Sequence, residues 1–280
     1  LSIENATISR GTVIVADARA GVARVESVEG ELKLSAVGGA LGFSGRATLA
    51  NRSYKVRFTT TAADGDGKAQ LALFGQTADE TTSLLAEGDL LLVSKPLFTG
   101  NLTVRRRPPP AREDLVQGDL VITSSIEADF DHVLLPSYTI LPDENRAGTR
   151  LTGAARLALG AEPKFEAVIS GGVLALPPRD VTGQEGAAPY ELVRLLKELP
   201  APPVPGVSGK LGVDIAELNL RAVALRNVRF DAESRPDGWS ISNFAALLPG
   251  NGTIRLAGKV TVPGERPTFE GEVTIATQRP

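Results

Sequence analysis

One phrase, written three times, constrains this chain more than any other feature. A glycine opens an apolar strand, the strand runs into a turn with proline and phenylalanine two residues apart, and a second alternating strand follows. The phrase occupies Gly88 to Val104, Gly153 to Ile169 and Gly258 to Ile275, with turns at Pro96-Leu97-Phe98, Pro163-Lys164-Phe165 and Pro267-Thr268-Phe269. Alternation with a period of two puts the apolar side chains of a strand on one face of a sheet. A chain that repeats it lays down one long apolar surface. The unequal spacing of Pro96, Pro163 and Pro267 excludes the fixed period of a β-helix or propeller, so the recurring unit is a strand pair.

The rest of the chain reads mostly as strands. Thr12–Asp17 and Glu31–Ala36 are separated by a turn around Ala20-Gly21 and a link through Val25 and Val28. Tyr54, Val56 and Phe58 alternate with polar residues, and beyond Asp64-Gly65-Asp66-Gly67 the chain resumes with Leu71 and Leu73, the pattern of an antiparallel hairpin. Further strands are expected through Leu120 to Phe130, Arg150 to Leu159, Lys164 to Leu176 and Lys210 to Ile215, with another hairpin at Asn251-Gly252. Arg105-Arg106-Arg107-Pro108-Pro109-Pro110 interrupts them, because consecutive prolines supply no ladder N–H groups.

One short amphipathic helix is expected near 189–199. Leu192, Leu195, Leu196 and Leu199 fall at helical spacing, Pro189 suits the first turn and Pro200 ends the segment. A shorter helical turn is expected at Asn243–Leu248. These marks divide the chain into an N-terminal β segment 1–107, a middle β segment 108–205 ending in the helix and a Pro-rich link, and a C-terminal β segment 206–280, unless one continuous sheet runs through all three.

Composition removes several function classes. The 280 residues are 42% hydrophobic, enough for a sizeable core. A net charge of -3, from 30 basic and 33 acidic side chains, gives no global attraction to nucleic acid, and none is expected as a partner. With no cysteine and a single histidine, thiolate zinc sites and most transition-metal geometries are excluded, and no cofactor is expected. No methionine occurs, even at position 1, and the chain is expected to be part of a larger product. No uncharged apolar run approaches the ~20 residues that span a bilayer.

The constellations that could carry chemistry read as ordinary structure. His132 has Asp129 and Asp131 near it, but a strand alternates their faces and no activated serine motif accompanies it. Asp64-Gly65-Asp66-Gly67 lacks the glutamate that an EF-hand places at its twelfth position, where this chain has Gly75, and reads as a turn. Gly38–Gly45 has no terminal lysine and no following helix pattern, and reads as a loop between strands. Arg105, Arg106 and Arg107 are candidate head-group contacts, since guanidinium pairs well with phosphate oxygens. No pair of carboxylates is singled out for hydrolysis, and the chain is expected not to be an enzyme.

The phrases resemble the periplasmic β-rich region of the AsmA family of Gram-negative envelope proteins. The resemblance is carried by Leu1-Ser2-Ile3-Glu4-Asn5-Ala6, by Gly11–Asp17, by Leu151-Thr152-Gly153 leading to Phe165–Ser170, and by Trp239-Ser240-Ile241 leading through Leu248-Pro249-Gly250 to Leu256-Ala257-Gly258. It implies kinship with bridge-like lipid-transfer proteins: a long curled, largely antiparallel sheet forming an open apolar groove for lipid tails. It also implies a periplasmic location, an inner-membrane anchor through an N-terminal helix missing here, phospholipid as the partner, and a part in outer-membrane assembly.

Such a groove makes physical sense. Hydrating an acyl chain costs ~0.8 kcal/mol per methylene, on the order of 12 kcal/mol for sixteen carbons. A sheet satisfies its backbone hydrogen bonds along its own ladder and leaves one face for hydrocarbon. The groove candidates are Val56, Phe58, Leu71, Leu73, Leu102, Val104, Leu157, Leu159, Phe165, Ile169, Leu256, Val260, Phe269, Val273 and Ile275. The competing reading is a structural or adhesive extracellular β protein in which the same residues fill a closed core and no lipid binds.

Overall fold

The structure is a computed structural model that describes residues 3–17, 21–35, 39–49, 52–107, 118–145, 149–160, 162–175, 204–220, 223–262 and 267–276. Sixteen strands follow one another: β1 (Ile3–Asp17), β2 (Gly21–Leu34), β3 (Leu41–Leu49), β4 (Arg52–Thr60), β5 (Lys68–Thr77), β6 (Thr82–Leu91), β7 (Leu97–Arg106), β8 (Leu120–Ala128), β9 (His132–Leu141), β10 (Leu151–Ala158), β11 (Lys164–Ala175), β12 (Ser208–Leu220), β13 (Val223–Arg235), β14 (Gly238–Leu248), β15 (Gly252–Thr261) and β16 (Thr268–Ala276). They form one sheet in strict chain order, and β1 and β16 are its two unjoined edges. Every neighbouring pair is antiparallel except β11 and β12, which run parallel. Hydrogen bonding therefore runs through residues 107 and 205, where the sequence suggests breaks, because β7 pairs with β8 and β11 with β12.

Several expectations are corrected. β1 and β2 are longer than the strands read at Thr12–Asp17 and Glu31–Ala36, and the supposed link through Val25 and Val28 lies inside β2. Leu41–Gly45, read as loop, is the start of β3. Asn243–Leu248, read as helical, belongs to β14. Apolar residues there sit on both parities, so the pattern does not separate strand from helix, and pairing to β13 and β15 decides. A 3-10 turn at Pro249–Asn251 closes the hairpin expected at Asn251-Gly252. The helix expected at 189–199 lies outside the described residues.

Bulges keep the apolar residues in phase. Leu225 and Val228 are three apart, as are Ile241 and Phe244, and simple alternation would send each pair to opposite faces. A register shift between Arg226 and Arg229, with Asn227 at φ 51°, restores the phase in the first case. A second shift between Ile241 and Phe244 does so in the other. Ser27, at φ 50°, marks the equivalent shift between Glu26 and Glu29 in β2.

Glycines let the sheet close up on one face. Gly30 pairs with Gly45, Gly88 with Gly100 and Gly258 with Gly271. A Cβ on Gly45 would lie 2.7 Å from the Gly30 Cα, and one on Gly258 would lie 2.6 Å from the Gly271 Cα. Only a residue without a side chain permits that approach, and such crossings mark bends. The buried residues match a single curled layer. They are chiefly small, such as Ala47, Ala69, Ala86, Ala232 and Ala246, and among the described residues no large side chain is fully buried.

Candidate functional site

Residues directly opposite across a strand pair share a face, so the register traces which side chains lie together. One row runs Val56, Gly75, Leu84, Val104, Ile122, Ile140 and Leu151 from β4 to β10. Beside it runs Phe43, Phe58, Leu73, Ala86, Leu102, Ser124, Tyr138, Gly153, Ile169, Val213, Phe230, Phe244, Leu256 and Val273, from β3 to β16 without a break. Toward the opposite ends of the strands, Val133, Leu157, Phe165 and Gly209 form a third row, which resumes through Trp239, Val260 and Phe269. Leu71, opposite Gly88, and Ile275, opposite Ile254, complete the set. The groove candidates thus share this inner face, except Leu159. That residue follows the end of β10, and its N–H donates to the Asp131 carbonyl at 2.8 Å.

The inner face is concave over β1–β7, where it encloses a trough of about 830 Å³. Val28, Leu32, Phe43, Val56, Phe58, Leu73, Leu84 and Val104 line it, and its only polar lining is Tyr54 with Gln76, Thr77, Thr82 and Ser83, four residues close to the β5–β6 turn. Leu84, Ile122, Phe43 and Tyr138 escaped the sequence reading. Leu84 stands beside Leu85, so composition does not say which of the two faces inward. The Gly88–Gly100 pairing settles it, placing Leu84 inward and Leu85 outward.

The three arginines separate. Arg105 faces outward opposite Val121 and forms an ion pair with Glu144, Nη1 to Oε2 at 2.7 Å. Arg106 lies opposite Thr82, on the inward parity beside Val104, at the rim of the trough. Arg107 follows β7 and donates its N–H to the Thr81 carbonyl at 2.8 Å. Of the head-group candidates, only Arg106 combines a place in a strand with the trough side.

In the third row the buried Ser234, between Gly209 and Trp239, donates its hydroxyl to the Val207 carbonyl at 3.0 Å. Two polar groups enter the first two rows, and both are satisfied. The Ser124 hydroxyl donates to the Ser137 carbonyl at 2.9 Å. The Tyr138 hydroxyl donates to the Val168 carbonyl at 2.6 Å, and burial raises its pKa above the usual phenol value. Neither brings charge onto the hydrocarbon surface. His132 opens β9 with Nδ1 2.9 Å from the Asp129 carboxylate. Burial works against ionisation of Asp129, yet the His132 and Asp131 amides and the His132 ring outweigh it and hold the carboxyl below its usual range. Asp64 spends one oxygen on the amides of Asp66 and Lys68, at 3.0 and 2.9 Å, within the β4–β5 turn. Among the described residues no cluster of three His, Asp or Glu is placed to hold a metal, and no helix is long and apolar enough to cross a membrane.

The outer face has the opposite character. Arg156, Glu166, Lys210, Glu233, Ser240, Lys259 and Glu270 stand opposite one another in turn from β10 to β16. A cleft of about 690 Å³ lies along this row. Along this row the outer face is charged, while Phe74, Leu85, Val168 and Leu247 also stand exposed on it. Compared with protein-family models, with characterised proteins and with solved structures, the chain has no significant match to any of them.

Proposed function

We propose that this chain is a non-enzymatic envelope protein that holds phospholipid acyl chains against its inner face and conducts them between the inner and outer membranes, in support of outer-membrane assembly. The reading places it in the periplasm, as the β-rich part of an AsmA-like protein anchored in the inner membrane. The observation that carries it is an apolar face continuous across the sheet, on which no second layer of described residues lies. A face of this kind lowers the cost of moving hydrocarbon through water, ~0.8 kcal/mol for each methylene it shields. At ~4.8 Å per strand the sheet offers a path of roughly 70 Å.

The open architecture favours this over an adhesive protein with a closed core. The inner face of the N-terminal strands encloses an open trough of about 830 Å³ lined by Phe43, Val56, Phe58 and Leu73, whereas a sandwich would fill that space with a second sheet. The experiment is mass spectrometry of an organic extract from the purified chain. Co-purifying phospholipid at a fixed ratio is the expected result. A chain that carries no lipid, and takes none up from fluorescent phospholipid vesicles, would overturn the proposal.

A further inference from the structure

On the inner face of β5–β7 the side chains change character at one level of the strands. Leu73 and Gly75 lead to Thr77, Ala86 and Leu84 to Thr82, and Leu102 and Val104 to Arg106. Tyr54 stands opposite Thr77, the Thr82 N–H donates to the Thr77 hydroxyl at 3.1 Å, and Thr82 stands opposite Arg106, so the polar positions form one row along the rim of the trough. The other ends of these strands have no such row. Ala69, Leu90, Phe98 and Ala128 stand opposite one another there. From Phe98 to Arg106, β7 runs about 27 Å at ~3.4 Å per residue. One leaflet of a bilayer holds about 15 Å of hydrocarbon, half of the ~30 Å core, so an acyl chain laid along β7 fits on the apolar side of Arg106.

The three arginines differ in what engages them. Arg105 pairs with Glu144 on the outer face. Lys55, and after it Arg107, hold the Glu80 carboxyl below its usual range. Arg106 is exposed, forms no ion pair among the described residues and is the one charged inner position on β5–β7. The Thr77 hydroxyl already donates to Asp79 at 2.5 Å, which leaves the Tyr54 and Thr82 hydroxyls and the Arg106 guanidinium as donors at this rim. We propose, resting on the lipid reading above, that this rim is a head-group site: Arg106 binds the phosphate of a phospholipid through charge-assisted hydrogen bonds, and the tails lie along the strands toward Phe98. Lipids passing from strand to strand then keep their heads on one rim.

The test offers the full chain two lipids with the same fluorescent acyl chains, phosphatidylglycerol and a diacylglycerol that lacks the phosphate, each from a cyclodextrin complex. Phosphatidylglycerol is expected to be taken up about tenfold better. Arg106→Gln, or Arg106→Ala should the first variant lose its far-UV β signal, is expected to abolish that preference while diacylglycerol uptake holds. Arg105→Gln, on the outer face, should leave the preference intact, and inorganic phosphate at equal concentration should not displace the lipid. Equal uptake of the two lipids by the wild type, a preference that survives in the Arg106 variant or falls as far in Arg105→Gln, or displacement by inorganic phosphate would overturn the head-group site and leave the lipid reading standing. Uptake of neither lipid would overturn both.

Discussion

The Tyr138 hydroxyl reaches over Gly153 of β10 to donate a 2.6 Å hydrogen bond to the Val168 carbonyl of β11. A Cβ on Gly153 would lie 2.6 Å from the phenol ring carbon Cζ, so the glycine is the seat on which the ring lies. Phe269 stands in the same relation to Gly258 and Gly271, with its ring 2.9 and 2.7 Å from where their Cβ atoms would be, and Phe165 lies likewise over Gly209. Aromatic rings laid over strand glycines recover burial that glycine forgoes. This gives the thrice-repeated phrase a physical meaning in its third copy, where Gly258 and Phe269 are two halves of one packing unit, whereas in the second copy Gly153 seats Tyr138 and Phe165 covers Gly209, partners that lie outside the phrase. In the first copy Phe98 stands between Leu90 and Ala128 instead.

Tyr138→Phe should keep the ring and lose the hydrogen bond, lowering stability by about 1 kcal/mol. Gly153→Ala should cost more, roughly 1–3 kcal/mol, because the new methyl meets both the ring and the Val168 backbone. Urea denaturation of the two variants checks the order. If Gly153→Ala proves the milder change, the ring does not depend on the glycine.

The glycine crossings make a second contrast. On the inner face Gly88 meets Gly100, where a Cβ has no room, while Gly75 has nothing within 4 Å of its would-be Cβ. Gly88→Ala should destabilise by roughly 1–3 kcal/mol. Gly75→Ala should be neutral or stabilising by about 0.5–1 kcal/mol, since it only removes backbone freedom from the unfolded chain. Equal shifts in the two urea midpoints would show that the Gly88–Gly100 approach is not tight.

How much of this was legible in the sequence depends on where alternation holds. Val56, Phe58, Leu71 and Leu73 lie in strands without bulges, and their common face could be read directly. Phe230 and Phe244 share a row with Ile169, Val213 and Leu256, yet a period-two count begun at Leu225 or Ile241 would not place them there. The bulges at Asn227 and between Ile241 and Phe244 each insert one residue that alternation does not anticipate. The error at Leu41–Gly45 has another cause. A glycine required for close strand approach, as Gly45 is against Gly30, looks in sequence like a glycine required for a loop. The parity of Leu84 against Leu85 needed the partner strand, because two adjacent leucines carry no period.

Under the proposed function, paired substitutions on the two faces should separate binding from folding. Val56→Arg with Leu102→Arg places two charges among inner-face residues of β4 and β7, where a cation lacks partners and disfavours hydrocarbon. Lipid recovered by extraction should fall severalfold while far-UV circular dichroism keeps its β signature. Leu85→Arg, on the outward face and already 38% exposed, should leave recovery unchanged. Similar losses from Leu85→Arg and from the inner-face pair would mean that lipid association does not use the inner face.

Acid should weaken the N-terminal hairpins in a defined direction. Hydrogen bonding by the Thr77 hydroxyl, then by the amide and hydroxyl of Thr81, holds Asp79 below its usual 3.8. The Lys55 ammonium does the same for Glu80, whose usual value is 4.5, and that of Lys68, with a smaller contribution from Gln70, for Asp89. A carboxyl whose folded pKa is depressed adds stability that is present above its unfolded pKa and lost as pH falls through the folded one. The thermal midpoint should therefore hold between pH 7 and about 5 and decline below about 4. Asp79→Asn should flatten that decline, because an amide keeps the shape of the turn but no longer titrates. If its midpoint falls as steeply as wild type between pH 4 and 2, in units of degrees per pH, the Thr77–Thr81 turn is not among the groups that acid disrupts.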